Sequence, residues 1–280
     1  MLRSRQITSG ITGKRPKLIG TDLDGTIVAE QGISKRTVEA FTAARDLGVE
    51  IFFVTGRPPR WMREVRDAFG FGHAICANGA LHYDLITEKV IEQWLIPVET
   101  QFEFVNRMRN ALPTVSFAVE YEEKFHREKI YAPRWDLGAD NVGVIKIEEK
   151  LTQPAFKIMA RCSDFDYTSD EMLAIAEPLV SDIVTVTHSN PDESLLEISA
   201  KGVSKGETLE KLAARLGIGA EDSVTFGDNP NDFSMLKWAG RSWAMSNGHQ
   251  DGVKNAKFVA QAHHLDGVAI VIEELLELPA

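Results

Sequence analysis

The segment 18–26, with the sequence LIGTDLDGT, constrains the fold of this chain more than any other. It predicts a short apolar strand that runs directly into two carboxylates and a Gly-Thr turn. Residues i and i+2 of a strand share a side, so Asp22 and Asp24 start together, and the turn at Gly25 can bring them towards one centre. Crowded carboxylates repel each other unless a cation lies between them or one takes up a proton. The pair indicates a magnesium-dependent carboxylate nucleophile with an acid/base beside it; an acidic turn that ends a strand is the alternative.

Composition limits the partners and the compartment. The 280 residues suffice for two domains, and 44% hydrophobic residues suffice for packed cores. A net charge of −10 argues against nucleic acid or an anionic membrane as the main partner. The two cysteines, Cys76 and Cys162, have neither metal-site nor redox spacing, which predicts buried thiols in a reducing compartment and hence a cytoplasmic protein. No apolar run approaches the ~18 residues of a membrane span, and the oligomeric state stays open.

Strand and helix patterns alternate at both ends of the chain. A helix capped by Ser34 precedes an apolar run over 49–54, and a second helix, opened by prolines, precedes a strand over 73–77. The same alternation of strand and helix patterns occurs again after residue 200. The pattern predicts an α/β fold with a doubly wound, Rossmann-like parallel sheet.

The middle of the chain has a different texture. The interval from Asn78 to Lys205 is far longer than one crossover needs, and its strand and helix patterns indicate an inserted α+β module. The sequence therefore predicts a flexible extension over 1–16, a catalytic core over 17–82 and 199–280, and an inserted domain over 83–198.

Further chemistry lies at predicted strand ends, where open parallel sheets bind ligands. Thr55 and the backbone N–H of Gly56 can hold a phosphate oxygen, although Thr55 can equally cap the next helix. Lys205 opens a helix, against the helix dipole, which indicates an anion or carboxylate partner unless it is a surface lysine. Segment 227–232, GDNPND, adds two carboxylates, or else an Asx turn. Together these groups match metal-assisted phosphoryl transfer through an aspartyl-phosphate.

The order of these motifs resembles the haloacid-dehalogenase-like hydrolases, and more narrowly the Cof-type phosphatases. The motifs are DLDGT at 22–26, VTGR at 54–57, SKG at 204–206 and GDNPND at 227–232, with ANGA at 77–80 and closing segments at 253–256 and 266–269. The resemblance covers nearly the whole chain except residues 1–16. Two departures are Thr21, where an apolar residue is usual, and SNGH at 246–249, where the family often has Gly-Asn-Ala.

Carried over by position, the resemblance implies a role for each residue. Asp22 attacks phosphorus, and Asp24 protonates the leaving alkoxide and then activates water. Asp22, Asp228 and the backbone carbonyl of Asp24 bind Mg²⁺, while Asp232 orients Lys205 or a water. The residues implied for substrate and phosphoryl binding are Thr55, Gly56, Arg57, Asn78, Lys205 and Asn231.

The resemblance implies a Mg²⁺-dependent phosphatase for small phosphorylated metabolites, sugar phosphates first. A phosphohexomutase of the same architecture and a catalytically silent phosphosugar-binding protein are the alternatives. A receiver-type signalling module shares the chemistry, but its acidic pair precedes the phosphorylated aspartate by two strands and it carries no large insertion.

The resemblance implies that the inserted domain is a mobile cap that closes over the site and selects the leaving group. Its candidate selectors cannot be ranked from the sequence. They are Glu120, His126, Trp135, Arg161 and Glu197.

Overall fold

The structure is a computed structural model that describes residues 11–121, 124–133, 141–163 and 166–280. The chain divides into two compact units. Residues 93–203 form the second unit, and the residues on either side of them form the first.

The elements are numbered in chain order over the described residues. The strands are β1 (Leu18–Thr21), β2 (Val28–Ala29), β3 (Gly32–Ile33), β4 (Glu50–Val54), β5 (His73–Cys76), β6 (Leu81–Asp84), β7 (Lys89–Gln93), β8 (Ser116–Tyr121), β9 (Lys124–Arg127), β10 (Lys157–Arg161), β11 (Val184–Thr187), β12 (Leu195–Ala200), β13 (Ser223–Gly227), β14 (Arg241–Met245) and β15 (Phe258–Ala260). The α-helices are α1 (Lys35–Asp46), α2 (Arg63–Phe69), α3 (Val98–Ala111), α4 (Ser169–Val180), α5 (Lys205–Arg215), α6 (Phe233–Trp238), α7 (Gly252–Asn255) and α8 (Gly267–Leu276).

The first unit is built on an eight-stranded sheet of order β15-β14-β13-β1-β4-β5-β6-β7. The pairs from β15 to β5 are parallel, and β6 joins β5 antiparallel. The chain runs from β1 outwards through β4 and β5, and later returns to the other side of β1 through β13. This reversal is the topological switch point at which doubly wound sheets bind ligands. The predicted α/β fold class is confirmed.

Both faces of the sheet are covered, which is why its strands are nearly continuous apolar runs. On one face Phe52 and Ile75 lie in one buried cluster with Leu209 of α5 and Met235 of α6. On the other face the ring of Phe53 lies 4.6 Å from that of Phe69, and Phe41 of α1 packs against both. Helices therefore cover both faces of the sheet and leave the carboxyl ends of its strands as the place for a site.

The boundaries of the units differ from those expected from the sequence. Strands β6 and β7 lie in the sheet of the first unit, so that unit extends to Glu92 rather than ending at residue 82, and it resumes at Ser204 rather than at 199. Antiparallel pairing of β6 with β5 causes the shift, because the chain turns back at 77–79 and extends the sheet before leaving it.

The segment predicted as a loose extension is tied down at its end. The Arg15 N–H donates to the Pro279 carbonyl at 2.7 Å, and Arg241 donates to the Lys14 carbonyl at 2.8 Å. Residues 1–10 lie outside the described part of the chain.

The second unit is an antiparallel sheet of order β11-β12-β10-β8-β9 with α3 and α4 on one face. Register separates its two faces. Ile158, Val119 and Ile198 pair across the strands and point to the helices, whereas Lys157 and Glu120 pair on the opposite face. Over the described residues, no helix is long and apolar enough to cross a membrane.

The turn at 77–79 ties the first half of the sheet to α5. Ala77, Asn78 and Gly79 all have positive φ, at 52°, 56° and 106°. A Cβ on Gly79 would lie 2.3 Å from the Ser204 carbonyl oxygen, and the Thr208 hydroxyl donates to the Gly79 carbonyl at 2.8 Å. Only glycine permits this approach, so the turn positions the start of α5.

We expect Gly79→Ala to lower the free energy of unfolding by about 3 kcal/mol or more, because it adds a steric clash to the ~1 kcal/mol strain of a positive φ. Urea unfolding measures the loss. Gly48→Ala is the matched control, since Gly48 has φ +80° but nothing within 4 Å of the added carbon. Equal losses in the two variants would contradict the close contact with Ser204.

Candidate active site

A buried lysine lies between two carboxylates in the first unit. Lys205 is 1% exposed, and its Nζ lies 2.6 Å from Asp22 Oδ1 and 2.6 Å from Asp232 Oδ1. Burial alone would lower the pKa of Lys205, but the charges of the two carboxylates raise it above the usual value, so the ammonium is retained. The sequence predicted an anion or a carboxylate as the partner of Lys205, and in the structure Lys205 contacts two carboxylates.

Local packing fixes where this lysine begins its helix. Ser204 caps α5 by accepting the Glu207 N–H at 3.3 Å. At Gly206 an added Cβ would lie 2.4 Å from the Ser234 carbonyl carbon, so glycine lets α5 approach α6 closely. The Ser234 hydroxyl accepts the Gly206 N–H at 2.9 Å. The first turn of α5 is therefore held in place at the carboxyl ends of the strands.

Asp22 follows the central strand β1 directly and is 4% exposed. Its N–H donates to the Phe226 carbonyl at 3.0 Å, which extends the pairing with β13. Its Oδ2 accepts the Thr26 hydroxyl at 3.3 Å, so each carboxylate oxygen has a donor. Thr21, a departure from the family pattern, donates its hydroxyl to the Asp22 carbonyl at 2.8 Å.

The loop after β13 brings two further carboxylates to Asp22. Asp232 Oδ2 accepts the backbone N–H of Asp228 at 2.9 Å and of Asn229 at 3.0 Å, which leaves Oδ1 for Lys205. Asp232 therefore supports both the lysine and the loop. Carboxylate oxygens of Asp22, Asp228 and Asp232 all lie within 4.8 Å of one another.

The carboxylate cluster is electrostatically unfavourable without a cation. Burial and the charge of Asp232 raise the pKa of Asp22 to about 7, and burial with the charges of Asp22 and Asp232 raises the pKa of Asp228 to about 9. Asp228 Oδ1 is buried and has no hydrogen-bond partner among the described residues.

Glycine makes room for Asp228 beside the first motif. Gly25 has φ +76°, and a Cβ there would lie 2.4 Å from Asp228 Oδ2. The acidic turn and the Asp228 carboxylate can meet only because this side chain is absent. Buried carboxylate oxygens with an uncompensated acceptor fit a hard divalent cation such as Mg²⁺.

A polar group lies at the ends of β4 and β5. Thr55 Oγ1 accepts the Arg57 N–H at 3.0 Å, and the Thr55 carbonyl accepts the Asn78 N–H at 2.9 Å. Asn231 Nδ2 donates to Asn78 Oδ1 at 3.1 Å. Asn78 Nδ2 is a buried donor for which the described residues provide no acceptor. An anion would satisfy it.

Asp24 lies apart from the carboxylate cluster. The sequence expected it to converge with Asp22, but its side chain is 59% exposed and its oxygens bind Arg57, at 2.8 Å to Nε and 2.5 Å to Nη2. Arg57 was expected to bind substrate, and in the structure its guanidinium also binds Glu64 at 3.2 Å. Attraction between the positive guanidinium of Arg57 and the negative carboxylates explains why Asp24 is directed to Arg57 and why Arg57 is paired within the protein.

Three contributors were not singled out from the sequence. Thr26 holds Asp22, Glu64 holds Arg57, and the Asn247 side chain donates to the Gly25 carbonyl at 2.9 Å. Thr26 is the last residue of the DLDGT motif, and Asn247 lies in the SNGH segment that departs from the family pattern. The sequence therefore contained an indication of both residues. The sequence contained no indication of Glu64, because it is one acidic residue on an exposed helix face.

The candidate selectors of the second unit divide between the faces of its sheet. Three of them lie on the same face as Lys157: Glu120, Arg161 and Glu197. Glu197 forms a buried ion pair with Lys157. His126 pairs with Val119 and lies on the face of the apolar core. Trp135 is outside the described residues.

The cluster predicts the pH dependence of stability without metal. The folded pKa values of Asp22 and Asp228 exceed the ordinary value of 3.8, so the folded state keeps protons that the unfolded chain releases. That stabilisation is lost as pH rises through about 7 and about 9. We expect urea unfolding in EDTA to give a free energy that falls from about pH 6 to about pH 9, and to fall less in Asp228→Asn. The two proteins following the same curve would contradict the raised pKa of Asp228.

Comparison with known proteins places this site in a family. The model of the haloacid dehalogenase-like hydrolases matches residues 19–272. The 5-amino-6-(5-phospho-D-ribitylamino)uracil phosphatase YcsE of Bacillus subtilis is 27% identical, over 91% of this chain and 94% of its own. The pyridoxal phosphate phosphatase YbhA of Escherichia coli is 28% identical, over 90% of this chain and 96% of its own.

A solved structure has the same fold over nearly its full length. The subclass IIB sugar phosphatase BT4131 superposes with a TM-score of 0.72 at 23% identity, over 92% of this chain and 98% of that one. The family match spans both halves of the sheet and the insertion between them, and it includes every residue of the carboxylate and lysine cluster. The chain therefore belongs to the haloacid dehalogenase-like hydrolase family.

Proposed function

We propose that this protein is a Mg²⁺-dependent phosphatase that hydrolyses small phosphomonoesters through an aspartyl-phosphate on Asp22. The observation that carries the proposal is the contact of Lys205 Nζ with Asp22 Oδ1 at 2.6 Å, at the end of the central strand and beside Asp228. A carboxylate is a weak nucleophile unless it is ionised and oriented, and the lysine orients Asp22 and lowers its pKa against the effect of burial.

The first half of the reaction uses the two aspartates in turn. Asp22 attacks phosphorus and the bond from phosphorus to the leaving oxygen breaks, while Asp24 gives that oxygen a proton. Lys205 orients one oxygen of Asp22 and Thr26 the other. In the second half, Asp24 takes a proton from water as the water attacks phosphorus, the bond from phosphorus to Asp22 breaks, and phosphate is released.

Asp22 and Asp228 would hold Mg²⁺ together with the backbone carbonyl of Asp24. The ion supplies positive charge that offsets repulsion among the carboxylates and the phosphoryl oxygens. The unpartnered Asp228 oxygen and the raised pKa of both carboxyls support this assignment.

The phosphoryl oxygens would bind donors at the neighbouring strand ends. Lys205 contributes charge, Thr55 a hydroxyl and Gly56 a backbone N–H. The buried Nδ2 of Asn78, held in place through the side chain of Asn231, provides an oriented amide donor. These donors favour an anion with three equatorial oxygens.

Sugar phosphates are the substrate class we place first. The curated relatives are named for a phosphoribityl compound and for pyridoxal phosphate, and a structural neighbour is a sugar phosphatase, so small phosphomonoesters are common to all three. We place the selectors of the leaving group in the inserted unit. The charged sheet face with Glu120, Lys157 and Glu197 offers donors and acceptors that suit hydroxyl groups. The cytoplasmic location stays a prediction.

Asp22→Asn is the direct test of this function. We expect wild type to release phosphate from a panel of phosphorylated metabolites with Mg²⁺ and not with EDTA. The variant should lose at least about 10³-fold in kcat, because an amide cannot form the covalent intermediate. Asp222→Asn is the control for the same change from carboxylate to amide, and it should keep its activity because Asp222 pairs with Lys17 at the surface.

The panel also separates the alternatives. Phosphate that stays on a sugar and moves between its hydroxyls would indicate the phosphohexomutase. Binding without turnover of any compound would indicate the phosphosugar-binding protein, and either result would contradict the proposed phosphatase.

A further inference from the structure

The guanidinium of Arg57 is held on three sides. Nε and Nη2 donate to the two oxygens of Asp24, at 2.8 and 2.5 Å. Nη1 donates to Glu64 Oε2 at 3.2 Å and to the Trp61 carbonyl at 3.5 Å. The side chain is 15% exposed, whereas that of Asp24 is 59% exposed. A two-point contact of this kind fixes the orientation of a carboxylate as well as its charge.

The backbone of Arg57 is fixed as firmly as its side chain. Its N–H donates to Thr55 Oγ1 at 3.0 Å, and its carbonyl accepts the Ala77 N–H at 2.9 Å. Arg57 is therefore attached both to the end of β4 and to the turn that follows β5. These attachments fix the backbone from which the Arg57 side chain extends to Asp24.

Asp24 is not part of the carboxylate cluster. That cluster consists of Asp22, Asp228 and Asp232, whose carboxylate oxygens lie within 4.8 Å of one another. Both oxygens of Asp24 bind Arg57 instead. The arginine thus meets the acid/base residue, at a place where the family resemblance implied a contact with substrate.

We propose that Arg57 is the positioning residue of Asp24, and that it holds the Asp24 carboxylate for the step that breaks down the aspartyl-phosphate. The inference rests on the proposed function, because it assigns Arg57 to one half of that reaction. It also removes Arg57 from the set of direct phosphoryl ligands.

The argument rests on the hydrogen bonds that each form of Asp24 can make. An ionised carboxylate accepts from both donors of the guanidinium, whereas a protonated acid presents one hydroxyl that cannot also accept in the same geometry. The two-point contact therefore matches the carboxylate, which is the form that takes a proton from water. Water then attacks phosphorus, the bond from phosphorus to Asp22 breaks, phosphate leaves, and Asp24 carries the proton.

The first half of the reaction has the opposite requirement. There Asp24 must carry a proton and give it to the leaving oxygen, and the two-point contact does not assist that form. Loss of Arg57 should consequently slow dephosphorylation of the enzyme while leaving its phosphorylation nearly unchanged. A phosphoryl ligand would behave differently, because it would assist both halves.

Rapid mixing with 4-nitrophenyl phosphate and Mg²⁺ separates the two halves. For Arg57→Ala we expect kcat to fall at least about tenfold, which is part of the 10² to 10⁴ that general base catalysis contributes. A burst of 4-nitrophenolate approaching one equivalent per enzyme should precede the slow phase. The value of kcat/KM, which reports only the first half, should change less than about threefold.

Three variants accompany this measurement. Added guanidinium should restore part of the kcat of Arg57→Ala, and Arg57→Lys should lie between it and wild type because an ammonium cannot make the two-point contact. Glu64→Gln should lower kcat in the same direction by less. Arg63→Ala is the matched control, because the Arg63 side chain is 83% exposed and pairs with Asp67 at 3.5 Å.

Three results would overturn the inference. A fall in kcat/KM without a burst, together with weaker inhibition by inorganic phosphate, would make Arg57 a phosphoryl ligand. A rise in kcat would make the ion pair an inhibitory contact, and unchanged kinetics would make it structural only. Absence of turnover by the wild type with every ester would instead refute the proposed function itself, and with it this inference.

Discussion

The contact of Lys205 with Asp22 and Asp232 is the interaction on which the rest of the site depends. One ammonium with two carboxylates leaves a net negative charge in a region from which water is nearly excluded, since all three residues are at most 4% exposed. Removing one partner of a buried ion pair typically costs ~3–5 kcal/mol, because the remaining charge is left uncompensated. The lysine therefore stabilises the fold and keeps the predicted nucleophile in one orientation. With Asp228 added, the cluster has more negative charge than the lysine can balance, which is the physical reason why we propose a cation there.

The fold brings these groups together by close backbone contacts. Gly79 lets the turn after β5 touch Ser204, Gly206 lets α5 touch α6, and Gly25 leaves space for Asp228. Each contact joins segments that are distant in the chain, and each excludes a side chain larger than hydrogen. The successive positive φ values of Ala77, Asn78 and Gly79 belong to the same arrangement. Strain of this kind persists only where the surroundings hold it, and it is common at functional sites.

Much of this arrangement could be predicted because its signals are local. An apolar run followed by Asp22 and Asp24 marks a strand end, and Lys205 in the first turn of a helix opposes the dipole unless carboxylates are near. The partners of Asp24 could not be predicted, because its contact with Arg57 depends on how two loops meet in space. The segment of β7 was expected inside the inserted domain, although it joins the sheet of the first unit, for a related reason. Its pattern indicates a strand, but not the sheet that the strand joins.

The central claim is that Asp22 becomes phosphorylated, and chemical trapping tests it most directly. The enzyme is mixed with a phosphorylated substrate and Mg²⁺, quenched with acid and reduced with borohydride, which converts an acyl phosphate on aspartate to homoserine. Peptide mass spectrometry then locates the modified residue. The account predicts homoserine at position 22 and unmodified aspartate at 24, 228 and 232. Modification at any of those three positions instead, or at none while the substrate turns over, would contradict it.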